Sequence, residues 1–139
     1  MLPAPADFVD LRFLADAGVP YTIWIRIGAA NNDVFSDSLW VQFSDAWVNG
    51  AHVYPLDSSE ALLVNGSDAS NALNGWGWSN GAYWLSQPAT IMFAKTGAHT
   101  IRIQMREDGV QFDQIVLSPS RYLNRAPGLP AGDRTIVAK

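Results

Sequence analysis

The strongest constraint on this chain is its period. Tyr21, Ile23, Ile25 and Ile27 alternate with Thr22, Trp24 and Arg26. Leu39, Val41 and Phe43 alternate with Trp40 and Gln42, and Ile101, Ile103 and Met105 with Arg102, Gln104 and Arg106. Successive side chains of a strand point to opposite faces, so this alternation makes one face apolar and leaves the other polar. Residues 8–14, 90–94 and 111–117 read as three further strands. No segment keeps a 3.6-residue apolar period over three turns, so helices are short or absent. Turn residues punctuate the strands at Ala17-Gly18, 28–33, Asn49-Gly50, Asn65-Gly66, Asn80-Gly81, Thr96-Gly97 and Asp108-Gly109. Glu107-Asp108-Gly109 lies between two alternating segments and predicts a hairpin. Many short antiparallel strands with frequent turns predict an all-β, antiparallel β-sandwich of the jelly-roll kind.

At 139 residues the chain is long enough for one domain with a real core. Hydrophobic residues make up 48 % and charged residues 16 %, which excludes disorder for the bulk. A net charge of −4 with no basic patch argues against a nucleic-acid partner, because nothing is placed to displace phosphate counterions. The absence of cysteine removes disulfide and thiol chemistry. No apolar run approaches the ~18 residues of a membrane span. Met1-Leu2-Pro3-Ala4-Pro5 lacks the basic end and apolar core of a secretory signal. The prolines and glycines after Tyr122, Pro127, Gly128, Pro130 and Gly132 among them, divide the chain into a module over 1–122 and a linker or tail over 123–139.

Residues 74–85 read Asn-Gly-Trp-Gly-Trp-Ser-Asn-Gly-Ala-Tyr-Trp-Leu and hold three of the six tryptophans with no charge. So much glycine weakens a core strand, and so much exposed ring surface costs solubility in a loop. The composition suits a stacking surface for flat, weakly apolar faces such as sugar rings. Trp76 and Trp78 are two residues apart, so an extended backbone turns both rings the same way. Trp84 is the better surface ring of the Tyr83-Trp84 pair, since adjacent strand residues face oppositely. Trp47, in a polar turn after a strand, is a further candidate. Asn74, Ser79, Asn80 and Gln87 flank the loop and offer donors and acceptors to vicinal hydroxyls. The alternative for each ring is packing, and for Asn80 ordinary turn chemistry. Trp24 and Trp40, opposite the apolar rows of their strands, form a second platform or are covered by the tails. Asn31-Asn32-Asp33 and Asp37-Ser38 make an oxygen-rich loop without lysine or arginine, suited to a hard cation such as calcium.

The segment 21–26 (Tyr-Thr-Ile-Trp-Ile-Arg) and the ending Gly97-Ala98-His99-Thr100-Ile101-Arg102-Ile103 … Phe112-Asp113-Gln114-Ile115-Val116-Leu117-Ser118 resemble carbohydrate-binding modules with a galactose-binding-like β-sandwich. Families 6, 35 and 36 share this ending. Within the clan, the Trp-rich loop looks most like the cellulase-associated family 81. The resemblance covers roughly residues 8–122. It implies a structural calcium, for which Asp113 on the last strand joins Asp33 and Asp37 as a candidate ligand. The Glu-x-Glu of families 6 and 35 is absent from the first strand, where the chain reads Asp7-Phe8-Val9-Asp10-Leu11.

No pair of carboxylates stands out as the acid and base that glycosidases need, and serine-nucleophile and phosphate-loop patterns are absent. His52 and His99 are isolated, His99 in phase with a strand's apolar row. The expectation is a non-catalytic module that binds β-glucan chains: cellulose oligomers, mixed-linkage glucan or xyloglucan. It would act outside the cell, tethered to a catalytic domain of a secreted polysaccharide-degrading enzyme. A small jelly-roll lyase or esterase, or a protein-binding adhesion module, are the alternatives.

Overall fold

A computed structural model describes residues 7–70 and 72–138. The ends of the 1–122 and 123–139 segments, with Met1, lie outside the described residues. Among the described residues ten strands form two antiparallel sheets: β1 (Phe8–Ala15), β2 (Tyr21–Ala29), β3 (Ser38–Phe43), β4 (Ala46–Val48), β5 (Ala51–His52), β6 (Leu62–Asn65), β7 (Gly77–Ser79), β8 (Thr90–Phe93), β9 (Gly97–Met105) and β10 (Val110–Ser118). One sheet has the order β1-β9-β3-β6. The other runs β10-β2-β8-β4-β5, with β7 also beside β2. The only helical turn among the described residues is a 3₁₀ turn at Ala30–Asn32. The protein is an antiparallel β-sandwich.

The alternating rows meet between the sheets. Ile23, Ile25 and Ile27 of β2 pack with Leu39, Val41 and Phe43 of β3 and Ile101 and Ile103 of β9 in one hydrophobic core. Each buried aliphatic chain stabilises the fold by about 1.5–3 kcal/mol relative to exposure. At one end Phe93 is ringed by Phe13, Tyr21, Phe43 and His99, with centroids 4.3 to 6.2 Å away. His99 Nδ1 meets Asp45 Oδ1 at 2.6 Å and Nε2 meets the Lys95 carbonyl at 3.0 Å.

One turn does not do what its residues predict. Glu107-Asp108-Gly109 joins β9 to β10, yet β9 pairs with β1 and β3 while β10 pairs with β2. It is an arch between sheets, not a hairpin. Gly109 supplies the positive φ (89°) that either connection can use, so turn chemistry alone did not decide. The Glu107 carboxylate instead ties the arch to β3, accepting from the Asp37 N–H at 3.2 Å and the Ser38 hydroxyl at 2.6 Å. The tight hairpin lies at Asn49-Gly50, between β4 and β5, where both central residues have positive φ (50° and 81°).

The even-numbered residues of β2 point away from the core. Onto this outer face folds the segment after β10. Thr22 Oγ1 donates to the Leu123 carbonyl and Trp24 Nε1 to the Tyr122 carbonyl, both at 2.7 Å. Farther on, the Gln114 side-chain amide exchanges two hydrogen bonds with the backbone of Val137, at 3.0 and 3.3 Å. The proline- and glycine-containing tail is a docked third layer over 123–138.

Candidate functional site

The Trp-rich segment divides in two. Its first half contains a strand after all: Gly77–Ser79 forms β7 against β2, with Gly77 opposite Ile27 and Trp78 opposite Arg26. Trp76 and Trp78 do share one face, as their spacing predicts, but it is the face the tail covers. The Trp78 backbone N–H donates to the Leu129 carbonyl at 2.9 Å. The Gly132 and Asp133 N–H groups donate to the carbonyls of Asn74 and Trp76 at 2.7 and 2.8 Å. Trp78 is left only 3 % exposed, and its indole N–H donates to Asp133 Oδ1 at 3.1 Å.

Gly77 has the same cause. A Cβ at Gly77 would stand 1.8 Å from the Pro130 carbonyl oxygen, so the tail crosses there only because the residue has no side chain. Glycine, which argued against a strand, marks the close approach of a second backbone to this one.

Asp133 is the anchor. It is 6 % exposed. Besides Trp78, its carboxylate accepts from the N–H groups of Leu129 and Thr135 at 2.8 and 2.7 Å and from the Thr135 hydroxyl at 3.1 Å. Burial alone would raise the pKa of this carboxyl, but the donated hydrogen bonds outweigh it and hold the group below the ordinary value. Arg26, also buried, completes the knot: its Nη2 donates to the Asp133 carbonyl at 2.9 Å, and its Nη1 pairs with Asp113. Its guanidinium lies 5.1 Å from the Trp76 ring. Trp76 packs over Gly28, whose Cβ, if present, would meet the indole at 3.2 Å.

The second half behaves differently. The chain leaves β2 after Ser79, which is opposite Ile25, and returns where Ile23 N–H donates to the Ala89 carbonyl at 3.1 Å. Between these points the 80–89 excursion reaches the edge of the other sheet. Asn65 N–H donates to the Gly81 carbonyl at 3.1 Å, and Ser79 Oγ to the Asn65 carbonyl at 2.6 Å. The Gln87 side chain acts as a substitute peptide beside β6, accepting from Leu63 N–H at 3.0 Å and donating to the Ala61 carbonyl at 2.8 Å. Both ends of its amide are engaged in closing the sheet edge.

At the crest of this excursion a β-turn, closed by Leu85 N–H to the Ala82 carbonyl at 2.9 Å, presents Tyr83 and Trp84 as its two central residues. They are 60 % and 49 % exposed. Their rings meet edge to face, centroids 4.7 Å apart and planes 84° apart. The pair is a corner, not a flat plate. Below it opens a cleft of about 490 Å³ whose lining includes Trp24, Trp78, Asn80, Tyr83, Leu85 and Pro130. The side-chain amide of Asn80 and the hydroxyl of Tyr83 make no hydrogen bond to any described residue, so both are free for a ligand.

The remaining candidates are scattered. Trp47 sits on β4, two residues before the hairpin turn, its half-buried ring edge-on to His52 at 3.9 Å. Asn74 is exposed and uses its backbone carbonyl to hold the tail. Trp24 and Trp40 cannot make one platform, because β2 and β3 belong to opposite sheets and each ring lies on an outer face. Trp24 is held under the tail, and Trp40 stands beside the Arg106 guanidinium at 5.7 Å.

Asp33, Asp37 and Asp113 do not form one ligand set. Asp33 caps its own turn through Phe35 N–H at 3.1 Å and Ser36 Oγ at 3.2 Å. Asp37 is fully buried against Ser67, and desolvation raises its pKa above the usual carboxylate value. Asp113, turned toward Arg26 by the bulge between Phe112 and Gln114, has that guanidinium as its cation. Among the described residues no three histidines or carboxylates come together to hold a metal ion.

Two residues escaped the sequence reading. Asp133 had no local signal, since its partners are fifty or more positions away except within its own turn. Tyr83 was set aside on the premise of an extended backbone, which Asn80-Gly81 could have warned against. The chain matches no protein-family model, no curated protein and no solved structure at a significant level.

Proposed function

We propose that the protein is a non-catalytic carbohydrate-binding module whose site is the cleft under the Tyr83-Trp84 corner. The supporting observation is the pairing of two exposed rings with uncommitted polar groups, Asn80 and the Tyr83 hydroxyl, on a turn held by the sandwich. Apolar ring faces suit the C–H face of a sugar, and amide and hydroxyl groups suit its rim. The cleft volume falls within the range of small-molecule sites. Its lining carries one acidic side chain, Asp68, whereas glycoside hydrolysis uses a facing carboxylate pair. The resemblance to galactose-binding-like modules points to β-glucan chains as the ligand. The module would then concentrate a tethered, secreted catalytic domain on its polymer.

Affinity electrophoresis against cellulose derivatives, mixed-linkage glucan and xyloglucan tests this reading. Retardation of the wild type is expected, with a loss of roughly 5- to 30-fold in affinity for Tyr83→Ala or Trp84→Ala, from about 1–2 kcal/mol per ring. Release of sugar product by the isolated chain would overturn the non-catalytic assignment. Failure to bind any glycan would overturn the site.

A further inference from the structure

The turn that walls this cleft also walls a second one. On its other side, over the outer face of the four-stranded sheet, lies a cleft of about 370 Å³ lined by Trp40, Tyr54, Ser59, Glu60, Leu85 and Gln87, with Ala61. Leu85 and Gln87 belong to both clefts. We infer that the two are successive parts of one site, and that an extended neutral polysaccharide chain crosses the Leu85 crest with sugar residues on both sides. The inference rests on the function proposed above.

The walls of the second cleft are built. Gln42, 2 % exposed, donates through Nε2 to the carbonyls of Ser58 and Glu60 at 3.1 and 2.8 Å and fixes one wall from beneath. Gln87 fixes the opposite wall through Leu63 and Ala61. Tyr54 donates its hydroxyl to the Pro88 carbonyl at 3.1 Å, and burial pushes its pKa up to about 12, so it remains a neutral donor. Against this fixed frame three polar groups are left over, the exposed Ser59 hydroxyl among them. The indole N–H of Trp40 and the carboxylate of Glu60 have no hydrogen-bond partner among the described residues. A half-buried ring with a free donor, lining the same cleft as a free carboxylate acceptor, offers a sugar residue both a stacking face and contacts for its hydroxyls. The carboxylate also disfavours an acidic sugar, so the chain should be neutral.

A site in two parts predicts that affinity grows with chain length. Isothermal titration with β-1,4-linked glucose oligomers, from two residues to six, should show wild-type affinity rising by about tenfold or more once the ligand spans the crest. Trp40→Ala and the milder Glu60→Gln should remove that rise while leaving the shortest bound oligomer unaffected. Glu60→Gln alters an exposed group with no hydrogen bond, so it serves if Trp40→Ala misfolds. If both variants keep the full length dependence while Trp84→Ala abolishes binding, the first cleft stands alone and the extension is wrong. If the wild type binds no oligomer or polysaccharide, the proposed function falls and the extension with it.

Discussion

Residues 74–79 and 80–85 are nearly the same in composition and opposite in fate. Both carry tryptophan, glycine and asparagine without charge. The first stretch pairs with β2 on one side and with the tail on the other, so its backbone groups are satisfied and Trp78 is sealed beneath a third layer. The second leaves β2 and turns back on itself, and its rings end up in solvent. Aromatic content therefore did not separate exposed surface from core. What separated them was whether a second backbone came to lie across the segment, and Gly77 records that contact more directly than either ring does.

The largest effect that could break this contrast is on stability. Trp78→Ala removes a buried ring, leaves a cavity under the tail and strips Asp133 of an indole donor. A loss of about 3–5 kcal/mol is expected, as for large aromatic truncations in cores. Chemical denaturation followed by far-UV circular dichroism measures it. A loss below about 1 kcal/mol would mean that the tail does not seal this ring in solution, and Trp78 would return as a binding candidate.

The next effect is on acid stability and reads the anchor itself. The Asp133 carboxyl titrates below its ordinary value of 3.8 in the folded protein. Its stabilising contribution is therefore complete above that value and is lost as pH falls through the lower, folded pKa. Hydrogen exchange of the amides of Leu129, Gly132 and Thr135, compared between about pH 6 and about pH 3, should show tail protection falling first. Asp133→Asn should flatten that dependence while lowering protection throughout. Tail amides that lose protection only together with β2 and β9 would show the third layer to be inseparable from the sandwich.

These two tests also mark where the sequence stopped being informative. The strands at residues 21–27, 39–43 and 101–105 were legible because each carries its own period, and a period is local; 8–14, 90–94 and 111–117 were read as strands beside them. β7 was not, because its glycine is explained by Pro130, more than fifty residues later. The β9–β10 arch was misread for a related reason. Asp-Gly satisfies both a hairpin and an arch, and the choice lies in which sheet each strand joins. Of the candidate residues, Trp84 is exposed as the alternation argument expected, but because it is central to a turn. Asn80 is a half-buried bend residue whose turn chemistry the sequence also offered. Gln87 was not legible, since an amide flanking a Trp loop gives no sign that a sheet edge has already taken both its ends.

The smallest expected effect completes the comparison from the other side. Tyr83 and Trp84 occupy the central positions of a turn, where no strand pairing depends on their side chains. Their rings pack edge to face on each other and are both about half exposed or more. Truncating either to alanine should change stability by no more than about 0.5 kcal/mol, the usual range for surface sites, while costing the affinity proposed above. Loss of the edge-to-face contact adds little, since either ring alone remains solvated. Melting temperature and glycan affinity should therefore move independently in these variants and together in Trp78→Ala. A Trp84→Ala protein destabilised by 2 kcal/mol or more would place its ring among the structural ones, and the corner would lose its claim to be the binding surface.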